Sequence, residues 1–142
     1  MYSFNASVGF AACAALLVSL TGCTVTTEPG PGPGPGPSDL GTLTVFTSIE
    51  GSTHPSECDY AGATDIELAV YEGADHVATV TAPCYDFSIS VDVEEGTYSA
   101  DVTLIDQYSQ PVSTTLALDD LRVVPGTELQ VDVDFPSTSL IP

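Results

Sequence analysis

Four acidic residues stand close together in the sequence around a cysteine. Glu57 and Asp59 flank Cys58, and Asp65 and Glu67 follow shortly after. Carboxylate oxygens are the ligands that Ca²⁺ prefers, so these four side chains are the candidate metal ligands of the chain. No Asp-x-Asp-x-Asp-Gly calcium loop accompanies them. We therefore predict no resident metal and no cofactor, and calcium binding is kept as an alternative.

Catalytic chemistry has few residues to draw on. His54 and His76 are the only two histidines of the chain, and each stands beside turn-forming residues. A hydrolase needs a positioned base within reach of its nucleophile. None of the serines stands in a nucleophile-elbow motif. The sequence therefore predicts that the protein is not an enzyme.

Aromatic side chains raise a second binding alternative, a glycan site. Flat aromatic rings are the platform that sugars stack on, and the chain has no Trp. The tyrosines that could supply exposed rings are Tyr60, Tyr71, Tyr85 and Tyr108. A calcium- or glycan-binding surface module is therefore the alternative to a module without a small ligand.

Strands must position these side chains, because apolar residues recur at every second position from Leu40 onward. Turn pairs such as Glu72-Gly73, Glu95-Gly96 and Pro125-Gly126 separate the alternating runs. No run has helical periodicity, and Asp119-Asp120-Leu121 is at most a short helix. The pattern predicts an all-β fold, a single sandwich of about seven antiparallel strands. These strands are expected near residues 42–49, 65–70, 76–82, 87–93, 98–104, 112–118 and 129–135.

The charge balance restricts the possible partners. The chain has 20 acidic residues, no lysine and a single arginine, Arg122, for a net charge of −19. Binding to nucleic acid or anionic lipid headgroups depends on Lys and Arg, so we exclude a nucleic-acid partner. Solubility accounts for most of the acids, since they alternate with the apolar positions and form a solvated face. The same acids would also suit the binding of divalent cations or the attraction of a basic protein partner.

The N-terminal segment resembles that of bacterial lipoproteins. Val8 to Leu20 is apolar but shorter than the roughly 20 residues of a membrane span, and Leu20-Thr21-Gly22-Cys23 resembles a lipobox. The resemblance implies cleavage before Cys23, lipid on its sulfur, and anchoring in a membrane of the cell envelope. Thr24 replaces the Asp that signals inner-membrane retention, which points to the outer membrane. An uncleaved anchor helix is the alternative.

Three segments follow from this interpretation. Residues 1–22 are the predicted signal peptide, residues 23–39 the lipidated cysteine and its linker, and residues 40–142 the sandwich domain. Pro29 to Pro37 alternates strictly between Pro and Gly. Pro lacks an amide donor and Gly holds no fixed conformation, so this segment is predicted to be an extended, bendable tether.

Export also decides the cysteine chemistry. Cys13 leaves with the signal peptide and Cys23 carries lipid, so Cys58 and Cys84 remain. An oxidising compartment favours a bond between them, whereas no CxxC pair or neighbouring His pair completes a metal site. We predict a Cys58–Cys84 disulfide.

The domain itself resembles a known sandwich family. The stretches Gly62 to Gly73, Phe87 to Ile89 and Glu95 to Val102 are similar to carboxypeptidase-regulatory and transthyretin-like domains. This resemblance implies an immunoglobulin-like (Ig-like) sandwich. The spacing Glu94-x-Gly96-x-Tyr98 also resembles a tyrosine corner, in which the phenol bonds to nearby backbone.

Together these features predict a noncatalytic, lipid-anchored envelope lipoprotein. Its acidic sandwich is expected to have a structural or protein-interaction role. The expected partners are the membrane, through the lipid, and an envelope or extracellular protein.

Overall fold

The computed structural model describes residues 39–142 of the 142-residue chain. The predicted signal peptide, Cys23 and nearly all of the tether lie outside the described residues. The strands are β1 (Leu40–Ile49), β2 (Asp65–Glu72), β3 (Asp75–Pro83), β4 (Ser88–Glu94), β5 (Gly96–Ile105), β6 (Leu116–Val123) and β7 (Glu128–Phe135). One helix, α1 (Pro55–Ala61), and two 3₁₀ turns, Cys84–Asp86 and Ser137–Ser139, complete the elements.

The seven strands form two sheets, as a sandwich requires. One sheet has the order β4-β1-β7 and the other the order β3-β2-β5-β6. Alternate residues of each strand point into the space between the sheets, because successive side chains of a strand point to opposite faces. The largest fully buried side chains are Phe135, Leu43, Ile49, Ile66, Leu68 and Leu104. The predicted all-β sandwich of seven strands is confirmed.

The prediction of purely antiparallel strands is wrong for one pair. β1 lies antiparallel to β4 but parallel to β7, with Leu43 opposite Leu129 and Ile49 opposite Phe135. A parallel pair needs a long crossover connection. Here the connection between β1 and β7 consists of the five strands β2 to β6. β1 is therefore the central strand of this sheet and β7 is one of its edges.

The predicted strand at 112–118 has the wrong bounds, because β6 runs from Leu116 to Val123. Asp119 and Asp120 lie inside it, between the paired positions Tyr98–Leu121 and Ala100–Leu118. Two residues of β6 therefore lie opposite the single residue Ser99 of β5. This two-to-one arrangement is a β-bulge. Asp120 has a positive φ of 56°, so the acidic pair bends the strand instead of ending it.

Helix α1 was not predicted, because seven residues are too few to show a helical period. Its ends follow local rules all the same. The His54 side chain accepts a hydrogen bond from the Ser56 amide at 3.3 Å, and Pro55 occupies the first turn. Gly62 ends the helix in the left-handed conformation, at φ 70°.

The predicted disulfide is present. Cys58 of α1 is bonded to Cys84, which begins the 3₁₀ turn after β3. Both side chains are fully buried in the core. The bond therefore ties the only helix of the described residues to the chain that leads into β4.

Candidate functional site

The structure does not bring the four candidate calcium ligands together. Glu57 and Asp59 lie on helix α1, whereas Asp65 and Glu67 lie on β2. The Asp59 carboxylate accepts a hydrogen bond of 2.7 Å from the Tyr85 hydroxyl. Within residues 39–142, no group of three or more acidic, His or Cys side chains is placed to hold a metal ion.

Both histidines take part in local hydrogen bonds. His54 caps α1, and its Nδ1 lies 2.7 Å from the Ser56 hydroxyl. His76 opens β3, where its Nε2 lies 2.7 Å from the Thr79 hydroxyl and its ring packs edge-on against Tyr71 at 5.5 Å. Each ring thus stabilises the segment that carries it.

The four tyrosines proposed as a glycan platform are not on one surface. Tyr71 ends β2, whereas Tyr108 lies in the turn that follows β5, at the other end of the same sheet. Tyr60 lines a groove with Leu140 and Ile141, and Tyr85 lines a different cleft. The described structure therefore offers single exposed rings and not a platform of four.

The tyrosine corner, by contrast, has the expected geometry. The Tyr98 hydroxyl donates a hydrogen bond of 2.9 Å to the Glu94 carbonyl, across the turn between β4 and β5. Burial of the ring raises the pKa of the Tyr98 phenol, and the nearby charges of Glu72 and Glu94 raise it further. This residue is a structural anchor at one end of the sandwich.

A cleft of about 570 Å³ lies at one end of the three-stranded sheet. We call it the Phe46 cleft. Its walls come from β1, from the 3₁₀ turn after β3 and from β7. The lining residues are Phe46, Thr47, Ser48, Thr53, Tyr85, Asp86, Phe87, Asp132, Val133 and Asp134.

The cleft lies beside the start of β4. β1 pairs with β7 as far as Ile49, but its pairing with β4 reaches only to Phe46, opposite Ser88. Phe87, which precedes β4, has a positive φ of 49°, a conformation that bulky side chains rarely adopt. The Phe87 carbonyl still accepts a hydrogen bond of 2.9 Å from the Thr47 amide, and the cleft lies beyond this bond, beside Ser48.

Two aromatic rings face this opening. Phe46 points away from the core on β1 and is 39% exposed, although its neighbours Val45 and Thr47 are buried. Tyr85 is 49% exposed and is held by its hydrogen bond to Asp59. That bond and the charge of Asp59 raise the pKa of the Tyr85 phenol. Phe46 was not predicted as a functional residue. Its position was a clue, because a strand that buries Leu43 and Val45 must point Phe46 to the opposite, outer face.

Two acidic residues of β7 also line the cleft. Asp132 is the register partner of Phe46, and Asp134 that of Ser48. Asp134 accepts hydrogen bonds of 2.7 Å from the Ser48 hydroxyl and the Gly51 amide, which fix its carboxylate. Sequence reasoning also missed these aspartates, because nothing in the chain shows that β7 lies beside β1.

Hydroxyl groups of β1 organise the remaining acids on the same outer face. Thr42 donates to Asp92 at 2.7 Å, and Thr44 donates to Glu128 at 2.6 Å. The bond from Thr44, with a second from Gln130, lowers the pKa of the Glu128 carboxyl below its usual value. This face thus carries ordered negative charge along its length.

Comparisons with known proteins do not identify the chain. No protein-family model matches it, and a search of curated proteins found no match. Across residues 39–142, no helix has the length and apolar character needed to cross a membrane.

Proposed function

We propose that the protein is a noncatalytic lipoprotein of the cell envelope, anchored by lipid on Cys23. It displays an acidic, Ig-like β-sandwich for a structural or protein-interaction role. Support for the anchor comes from the lipobox-like Leu20-Thr21-Gly22-Cys23 and from the apolar run before it.

The observation that carries the proposal is the order of the parts along the chain. The lipobox-like motif is followed by the Pro-Gly run, and the first strand of the described residues begins at Leu40, shortly after that run. In this proposal the Pro-Gly run serves as the tether between the lipid and the domain, so that the domain reaches partners away from the bilayer. The tyrosine corner of Tyr98 supports an Ig-like sandwich, because that bond recurs in such folds.

A protein-interaction role is supported by the surface. With 20 acidic residues against one arginine, the chain attracts basic partners and speeds their association. Both histidines support the noncatalytic part, since one ring nitrogen of each lies within hydrogen-bond distance of a nearby hydroxyl, Ser56 for His54 and Thr79 for His76.

Intact mass of the protein extracted from membranes tests the anchor. We expect a chain that starts at Cys23 and carries acyl groups, and we expect Cys23→Ala to move the protein to the soluble fraction. Cys13→Ala is the matched control, because it removes a thiol of the signal segment and should leave the anchor unchanged. A mature chain without acyl groups at Cys23 would disprove the anchor.

Carbodiimide crosslinking in intact cells tests the interaction role. The chain has no lysine, so its acidic side chains can couple directly to lysines of a partner while the domain cannot crosslink through lysines of its own. We expect a discrete adduct that contains a second protein. If no adduct forms in cells that display the protein, the interaction role is wrong.

Thermal melts distinguish this role from the calcium alternative. A ligand that binds only the native state raises the melting midpoint. We expect the same midpoint in millimolar calcium and in chelator. A rise of several degrees in calcium would replace the proposed role with that of a calcium-binding module.

A further inference from the structure

The Phe46 cleft combines exposed aromatic side chains with three aspartate carboxylates. Asp134 is fixed by Ser48 and Gly51. Asp86 and Asp132 line the same cleft, and no group among residues 39–142 donates a hydrogen bond to either carboxylate. Their negative charge is therefore available to a ligand.

We propose that the Phe46 cleft binds a cationic side chain, an arginine, presented by a basic segment of a partner protein. This inference rests on the proposed protein-interaction role and assigns the surface that carries it. A guanidinium stacks on an aromatic face and at the same time pairs with a carboxylate. The cleft offers an exposed aromatic ring, Phe46, and a carboxylate, Asp132, to which no described residue donates a hydrogen bond.

The register of the strands places the two groups within reach of one guanidinium. Phe46 and Asp132 are direct partners on the adjacent strands β1 and β7, which lie about 4.8 Å apart in a sheet. Both side chains point to the outer face, since Val45 and Val133 beside them are buried. One planar cation over the Phe46 ring can therefore also contact the Asp132 carboxylate.

Charge complementarity selects the occupant. The residues that line the cleft include three aspartates and no Lys, Arg or His, and the one arginine of the chain, Arg122, lies on β6 in the other sheet. Negative charge within a concave surface focuses the field and concentrates cations there. An arginine brings a positive charge that pairs with one of these carboxylates, which a small neutral ligand cannot do.

The test measures binding of a fluorescent tri-arginine peptide to the full chain in nonionic detergent by anisotropy at low salt. A tri-citrulline peptide of the same shape but without charge is the control probe. We expect Phe46→Ala and Asp132→Asn each to weaken tri-arginine binding by about 2- to 5-fold, as an exposed cation–π contact and an exposed ion pair would give. We expect tri-citrulline not to bind.

Asp119→Asn provides the matched control variant. It removes the same charge from β6, in the other sheet, and should change binding by less than about 2-fold. Equal losses for Asp119→Asn and Asp132→Asn would overturn the proposal, because the attraction would then come from total charge. Unchanged binding to Phe46→Ala would overturn it as well.

The two proposals can fail separately. Phe46 is exposed, so its variant is expected to fold, and an unchanged melting midpoint verifies this. Failure of the peptide to bind would reject the cleft while a crosslinked partner still supported the interaction role. Absence of a crosslinked partner in cells would reject that role, whatever the peptide shows.

Discussion

Loss of the Cys58–Cys84 bond should strongly destabilise the domain. The two cysteines are separated by 26 positions in the chain. Closing a loop of that size removes conformational entropy from the unfolded chain, which stabilises the folded state by about 3.5 kcal/mol at 25 °C. For a domain of about 100 residues, this corresponds to a fall in melting midpoint of roughly 14–28 °C.

Urea unfolding of the double variant Cys58→Ala/Cys84→Ala measures this loss. The alanines also remove two buried sulfur atoms, so the reduced wild-type protein is the control that keeps those atoms. We expect both forms to lose about 3.5 kcal/mol, with a somewhat larger loss for the alanine pair because of the voids it leaves. A loss below about 1 kcal/mol in the reduced protein would refute the loop-closure argument.

Burial of the disulfide adds a kinetic expectation. Both sulfur-bearing side chains are inaccessible in the folded state, so a reductant reaches them only after the chain opens. We expect a mild reductant to open the bond slowly in buffer and rapidly in urea, as measured by alkylation of the thiols that appear. Equal rates in the two solutions would show that the bond is accessible in the native fold.

Three further predictions concern the sandwich. Gly41→Ala should cost about 1–3 kcal/mol in urea unfolding, because a Cβ there would lie 2.5 Å from the Val124 carbonyl oxygen; a neutral result would contradict this close approach. Tyr98→Phe should cost about 1 kcal/mol, since it removes the bond to Glu94, whereas Tyr108→Phe, at an exposed turn, should cost nothing measurable. The raised pKa of Tyr98 means that the folded state holds this proton more tightly than the unfolded state. Stability should therefore fall as the pH rises above about 10, the pKa of a tyrosine in the unfolded chain. If the melting midpoint of Tyr98→Phe fell equally over this pH range, the loss of stability would not come from Tyr98.

Most of the strands could be predicted from the sequence, because the period of two is local. β2, β4 and β7 each bury one row of side chains, and β5 does so as far as Val102, so apolar and polar residues alternate along them. Tyr98 was predicted for a similar reason, as its hydrogen bond spans only four residues. The bulge in β6 broke the alternation at Asp120, which is why that strand was misplaced.

The Phe46 cleft could not be predicted in the same way. Its walls come from segments around residues 46, 86 and 132, which are far apart in the chain. Nothing local to β7 shows that its outward acids lie beside an exposed ring of β1. The unpredicted parallel pairing of these two strands is what creates that neighbourhood.

Local features of the sequence were enough to predict the all-β class, most strand positions, the tyrosine corner and the pairing of the two cysteines. Each of these depends on a short-range period, a short spacing or a count. Which strands share a sheet, where the Phe46 cleft lies and which carboxylates line it depend on the three-dimensional arrangement of the chain. Those properties arise when the burial of two hydrophobic faces brings distant segments together, and a linear pattern does not record that arrangement.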